Sequence, residues 1–345
     1  MPDIVGNVFY FNWEVQLMEW LQSVLPGWLI NVISQFSAFG EQLPLVAILG
    51  FLYWSLDKEF GKYVGVTILV VNIWNPMVKN IFVRRRPYFD NPGIKILRPV
   101  EPDADLYDIS AQGFSFPSGH SANAVTAYGS ISRYAKKRWL RVLAIVLPLL
   151  VGFSRVVVGA HYPTDVLCGW GLGVLVIFVV PLLQKVIKKR WMFNGLMLLI
   201  ALPGFFYCKS TDYYSGVGML IGFLAALPVE EKYVKFENTK SWVRRILRVI
   251  GGGAIYLGLN TVLKLPFSSE FLASPTMGAF LIRTLRYAII IFVVIAIYPM
   301  LFKYTARIGK ARKDTGSEDA QVKEGTKTTA DWCPGRARSN RRGRG

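Results

Sequence analysis

Histidine is nearly absent from this chain, with two in 345 residues, His120 and His161. Cysteine is scarce as well: Cys168, Cys208 and Cys333 are odd in number, lack metal-ligand spacing, and read as inert. They say little about redox compartment. Met1-Pro2-Asp3 lacks the basic start of a secretory signal, and no small-residue cleavage site follows. No internal repeat stands out. Acidic residues are in deficit, 22 against 40 Lys and Arg, which leaves a formal net charge of +18. In a soluble protein that excess would suggest a nucleic-acid partner. Here 52% of the residues are hydrophobic and the mean hydropathy is +0.35. Long apolar runs recur along most of the chain, so the sequence reads as a polytopic helical membrane protein. The basic excess then belongs to cytoplasmic loops and anionic headgroups, and no nucleic-acid partner is expected.

Residues 9–36 are amphipathic, with Trp13, Trp20 and Trp28 at near-helical spacing, and suit a tilted first span or an interfacial helix. Apolar spans are expected at 43–56 and at 64–83, the second bent at Pro76. A polar loop rich in Pro and Gly follows at 84–116. Further spans are expected near 121–135, 142–158, 166–187, 191–208, 217–228, 246–263 and 279–302. The links Lys136-Lys137-Arg138, Lys188-Lys189-Arg190 and Arg244-Arg245 are basic and alternate with less basic ones, which places the basic links in the cytoplasm. The 84–116 loop and the 159–162 turn then share the outer side. Arg283 and Arg286 fit this alternation less well and either snorkel or serve a packed polar site. The tail from Lys303 is polar, ends RARSNRRGRG, and reads as a disordered cytoplasmic segment.

Three polar clusters meet on the outer side, and they hold both histidines. Lys79 and Arg86 are seven residues apart, two helical turns, and could clamp one anion if the helix continues to Pro87. Pro117-Ser118-Gly119-His120 stands at the start of an apolar span. Free N–H groups and the positive dipole end at a helix N-terminus make a phosphate seat, to which Ser118 adds a hydroxyl and Gly119 close backbone approach. His161 and Asp165 bracket Pro163, which suits a first helical turn. Asp165 can then accept the ring N–H of His161 and leave the other nitrogen to act as a nucleophile. Arg155 supplies another anion ligand. Each cluster has an ordinary alternative: a histidine satisfying a carbonyl, arginines 84–86 anchoring a span at headgroup level, a simple helix cap. Convergence of all three on one face weighs against those alternatives.

These residues resemble the signatures of the type 2 phosphatidic acid phosphatase superfamily, the lipid phosphate phosphatases. K-x6-R-P is matched by Lys79 to Pro87, P-S-G-H by Pro117 to His120, and S-R-x5-H-x3-D by Ser154 to Asp165, without a substitution. The resemblance covers roughly residues 43–187. It implies an all-α transmembrane bundle with a six-helix core and an extracytoplasmic active site. It implies metal-independent hydrolysis of phosphomonoesters or diphosphates without a cofactor. His161 would form a phosphohistidine, Asp165 would orient it, and His120 would protonate the leaving oxygen and then activate water. Lys79, Arg86, Ser118, Gly119 and Arg155 would bind the phosphate. No carboxylate cluster suited to Mg²⁺ or Zn²⁺ occurs in these motifs.

The expected organisation is a phosphatase core at 1–190, additional transmembrane helices of unassigned role at 191–302, and the basic tail at 303–345. The expected partners are membrane lipids and a lipid phosphate or diphosphate; oligomerisation stays open. Two alternatives remain at this point. The same phosphohistidine could pass to a lipid or sugar hydroxyl. In a different class, the extra spans, Gly251-Gly252-Gly253, Arg283 and Arg286 would suit a lipid transporter or scramblase.

Overall fold

In the computed structural model, which describes residues 6–304, helices account for nearly all regular structure; an isolated bridge joins Asn7 to Arg84. The order is α1 (Asn12–Val24), α2 (Gly27–Gln35), α3 (Gln42–Phe51), α4 (Lys58–Phe82), α5 (Pro87–Asp90), α6 (Ile109–Gln112), α7 (Gly119–Ala135), α8 (Arg138–Val157) and α9 (Pro163–Val186). It continues with α10 (Arg190–Ala201), α11 (Gly204–Tyr207), α12 (Thr211–Val229), α13 (Trp242–Val262), α14 (Ser269–Ala273) and α15 (Met277–Phe292). This is the expected all-α polytopic bundle. Five helices are long and apolar enough to cross a membrane: α4, α8, α9 and the helices starting at Thr211 and Met277. A sixth candidate is the pair Gly27–Gly40 and Gln42–Leu56, bent by 50°. Large apolar side chains on the outer faces of α8 and α9 are exposed, among them Ile145, Leu149, Leu175 and Phe178. Such faces suit lipid, and the chain is an integral membrane protein.

Several boundaries differ from the sequence expectation. The 9–36 segment breaks at Pro26, which caps α2, into helices too short to span. The 191–208 run breaks at Leu202 and Pro203. α4 begins earlier than expected because Asp57 caps it, accepting from the N–H groups of Glu59 (2.8 Å) and Phe60 (3.2 Å). It runs through Pro76 and ends at Phe82, where Val83 takes a left-handed conformation (φ 46°). The expected continuous helix from Lys79 to Arg86 therefore does not form, and Pro87 opens α5 instead of stopping α4.

α7 is the central helix of the first half and packs against α4, α8 and α9. Its buried face is small and polar, which permits close approach and hydrogen bonds between helices. Ser130 Oγ lies 3.0 Å from Thr67 Oγ1 of α4. Gly169 and Gly173 of α9 let α7 approach so closely that a Cβ at either would press on the carbonyl of Ser118 or Ala122. The same spacing recurs in α12, where Gly218 and Gly222 meet the carbonyls of Thr284 and Ala288 on α15. α12 also packs on α4 and so joins the second half to the first.

Residues through Pro299 form one compact unit. A second unit starts at Met300, and only its first residues, to Tyr304, are described, in a short helical turn. The expected basic tail beyond Tyr304, with Cys333, lies outside the described residues.

Candidate active site

Four helix ends meet at one end of the bundle: the C-termini of α4 and α8 and the N-termini of α7 and α9. The α8–α9 turn carries His161. Its N–H and that of Ala160 both donate to the Arg155 carbonyl, at 3.3 and 3.1 Å. Gly159 turns the chain at φ 78°, and its Cα lies against the Lys95 carbonyl, so only glycine fits there. Pro163 then occupies the first helical position and Asp165 the third, where its Oδ2 accepts the Tyr162 N–H at 2.8 Å.

His161 is 1% exposed, and its Nδ1 lies 3.5 Å from Asp165 Oδ2. Ser115 stands between the two: its Oγ is 3.4 Å from the same Nδ1 and donates a short hydrogen bond to Asp165 Oδ2. Arg84 holds the other oxygen, with Nη1 donating to Asp165 Oδ1 at 2.7 Å and to Thr164 Oγ1 at 2.8 Å. Its Nη2 reaches Glu14 Oε2 at 3.1 Å, and its guanidinium lies 4.0 Å from the ring centre of Tyr162. Glu14, fully buried on α1, also accepts from the N–H and hydroxyl of Thr164 at 2.9 and 2.7 Å. Asp165 is thus fixed before any partner arrives, and its charge is balanced by Arg84.

Lys79, Arg86 and Arg155 make no ion pair among the described residues. Lys79 Nζ donates to the Phe114 carbonyl at 3.1 Å. Arg86 donates from Nε to the carbonyls of Gln112 (2.9 Å) and Gly113 (3.0 Å), and from Nη1 to that of Ala160 (3.0 Å). It reaches the site from the loop after α4, not along the helix. Arg155 Nη1 donates to Ser37 Oγ at 3.1 Å, and its buried Nε has no partner among the described residues. Burial first, then the charges of Arg86, Lys79 and Arg155, hold the His161 imidazole well below its ordinary pKa. Those surroundings favour the neutral imidazole.

The α7 N-terminus completes the ring of donors. Ser118 is its N-cap; its Oγ accepts from the Ser121 hydroxyl at 2.9 Å, and its N–H donates to the Asp165 carbonyl at 2.9 Å, tying α7 to α9. Asn75 of α4 supports the turn from below, donating to the Pro117 carbonyl at 3.2 Å. Gly119 and His120 follow, and burial first, then the charges of Arg155, His161, Lys79 and Arg86, act on His120. All eight residues singled out in the sequence lie at this one end.

Sequence reasoning missed Glu14, Arg84 and Ser115. Arg84 lay in view within the arginine run, where headgroup anchoring was the ordinary alternative; only Arg85 resembles that, pairing with Asp90 at 2.6 Å and staying partly exposed. Ser115 adjoins the Pro117–His120 motif. Glu14 is an isolated acid in an amphipathic stretch, and its only signal was an acidic group among apolar ones. Among the described residues no three His, Cys, Asp or Glu side chains gather as a metal-ligand set.

Residues 60–189 match the PAP2 superfamily, and residues 214–311 match the PAP2 superfamily phosphatase transmembrane extension. The chain is similar to phosphatidylglycerophosphatase B of Bacillus subtilis, 32% identical over 183 residues, or 49% of this chain and 78% of that protein. It is similar to an undecaprenyl-diphosphatase of Sulfolobus acidocaldarius, 27% identical over 172 residues, or 49% of this chain and 76% of that one. Among solved structures, a transmembrane PAP2-type phosphatidylglycerolphosphate phosphatase from Bacillus subtilis aligns at 27% identity and a TM-score of 0.40, covering 52% of this chain and 90% of that one.

Proposed function

The chain belongs to the PAP2 superfamily, and from that premise we propose that it is a membrane phosphatase that hydrolyses lipid phosphomonoesters or polyprenyl diphosphates through a phosphohistidine. The observation that carries the reading is His161, buried, backed by Asp165 and surrounded by Lys79, Arg86 and Arg155, three cations that make no ion pair among the described residues.

In this reading a phosphoryl group sits at the N-terminus of α7. Its oxygens take hydrogen bonds from Lys79, Arg86, Arg155, the Ser118 hydroxyl and the first N–H groups of the helix. Asp165 accepts the proton side of the His161 ring at Nδ1, which leaves the Nε2 lone pair to attack phosphorus. The P–N bond forms as the bond from phosphorus to the leaving oxygen breaks, and His120 gives that oxygen its proton. Water then attacks phosphorus, His120 takes the water proton, and the P–N bond breaks to release phosphate and neutral His161. Phosphoryl transfer demands mostly positioning and donors for equatorial oxygens, and the three cations supply charge that a metal supplies elsewhere. The basic links at the opposite end support an extracytoplasmic side for this chemistry.

The test is phosphate release by the purified full chain from a panel of lipid phosphates and polyprenyl diphosphates, with His161→Ala as control. Release by wild type and none by the variant supports the reading. Release from no member of the panel, or equal release by a folded His161→Ala protein, overturns it.

A further inference from the structure

The extension helices enclose a cavity of about 150 Å³ with α3 and α4. Its walls are aliphatic and aromatic over nearly their whole length, with Leu49, Ile68, Phe223, Val249 and Ile295 typical. Polar side chains mark the end nearest the catalytic residues: Gln42, Asn72 and Asn123. Asn123 is one helical turn beyond His120 on α7, and Asn72 is one turn before Asn75, which braces the Pro117 carbonyl. Gly40, two residues before Gln42, lies against the His120 carbonyl. The cavity therefore begins just beneath the phosphate seat.

Its length suits a hydrocarbon chain whose bulk is accommodated along its open side. From Gln42 to Trp54 the lining follows twelve residues, roughly 18 Å at about 1.5 Å per residue. That is comparable with half of a hydrocarbon core of about 30 Å, one leaflet. Leu43 and Leu257 line the cavity and are largely exposed, so its side opens between α3 and α13 toward the lipid-facing surface. A chain already in the bilayer can enter there without crossing water.

We infer that this groove holds the hydrocarbon chain of the lipid phosphate whose headgroup sits at His161, so that α12, α13 and α15 serve chain recognition. The inference rests on the phosphatase reading for its headgroup and on the cavity's continuity with the α7 N-terminus for its tail. Apolar contact along the chain gives binding that a short-chain analogue lacks.

Gly253 offers the test, because it lines the groove and a Cβ there meets nothing within 4 Å. Gly253→Phe adds a ring at a groove-lining position whose Cβ has open space around it. Gly258 on the same helix is equally unobstructed but lies outside the groove, so Gly258→Phe is the control. Phosphate release is measured in detergent from dipalmitoyl phosphatidic acid and from the water-soluble dibutyryl form. Gly253→Phe is expected to lose about tenfold or more in kcat/KM on the long chain and to keep its rate on the short one, while Gly258→Phe changes neither. Equal loss on both substrates by a folded Gly253→Phe protein, or no loss on either, overturns the inference.

A second measurement does not need turnover. A phosphatidic acid carrying a diazirine late in its chain should label α3 and α13 in the wild-type protein, less in Gly253→Phe, and in competition with dipalmitoyl phosphatidic acid. Equal labelling by the phosphatidylcholine analogue, without competition, would mean a bilayer lipid occupies the groove and would overturn the assignment. If wild type releases phosphate from neither form, the long- and short-chain pair is taken from the panel member it does hydrolyse, release from no member overturns the phosphatase reading, and labelling still decides what the groove binds.

Discussion

The two ends of the bundle hold their cations differently. At the basic end Lys58 pairs with Glu230 at 2.7 Å, Lys62 with Glu59 and Glu231 at 2.6 Å each, and Arg190 with Glu231, while the more buried Arg248 donates to the carbonyls of Trp54 and Glu237. At the catalytic end Arg84 is paired with Asp165 and Glu14, and Arg85 and Arg98, further out, with Asp90 and Glu41. Lys79, Arg86 and Arg155 donate to carbonyl or hydroxyl oxygens and make no ion pair among the described residues. A buried cation without a counter-ion is costly, and a fold keeps three together where an anion completes them. The paired end reads as architecture and the unpaired end as a phosphate seat.

Breaking the buried pairs of Arg84 should have the largest effect. Arg84→Met leaves Glu14 and Asp165 as buried carboxylates without their cation, and a loss of about 3–5 kcal/mol in stability is expected. Thermal unfolding in detergent measures it, and adding Glu14→Gln should recover part of the loss. A single variant as stable as wild type would mean that Arg84 does not hold these carboxylates.

Neutralising an unpaired cation should do the reverse. Arg86→Gln or Arg155→Gln is expected to lower kcat by about 10²–10³-fold, the scale of one preorganised oxyanion donor, with stability unchanged or raised. Steady-state rates beside unfolding curves would check this. A variant that unfolds readily yet turns over normally would mean these arginines are structural, like those at the other end.

The scarcity of histidine makes the charge state of His161 directly visible. Burial and three cations depress its pKa, so protonation is resisted in the folded chain and not in the unfolded one. The stability it contributes is present above the ordinary value of about 6.5 and is lost as pH falls through that value toward the folded one. In labelled protein the histidine signal missing from His161→Ala should stay that of neutral imidazole at pH values where a free histidine titrates. A midpoint at or above the ordinary value would place His161 in water or beside an uncompensated acid.

The smallest effect is expected at the paired end. Glu231 is partly exposed, so Glu231→Gln should cost about 0–1 kcal/mol and leave turnover unchanged. A large loss of activity there would mean that the basic end takes part in the reaction.

The contrast also explains what could be read in the sequence. His161, Pro163 and Asp165 are near neighbours, and helical spacing alone puts them together. The Pro117–His120 turn announces itself by its composition. Glu14 meets Thr164 across 150 residues and Arg84 meets Asp165 across 81, and no local pattern carries such contacts. The end of α4 was missed because Val83 is β-branched, a residue type that strongly disfavours the left-handed region it occupies. The break at Leu202 and Pro203 was legible as proline, but the apolar run around it outweighed that signal. The extension was visible as hydrophobic segments; its groove depends on Gly252 and Gly253 lying across from α3, a matter of packing between distant helices.

The most direct measurement is the chemical identity of a trapped phosphoenzyme. The purified protein is mixed with a lipid phosphate labelled in its phosphorus, quenched in base during turnover, and digested. The account predicts label on the peptide containing His161, stable to base and released by acid, and none in His161→Ala. Label on another residue, or steady turnover by a folded His161→Ala protein, would contradict it.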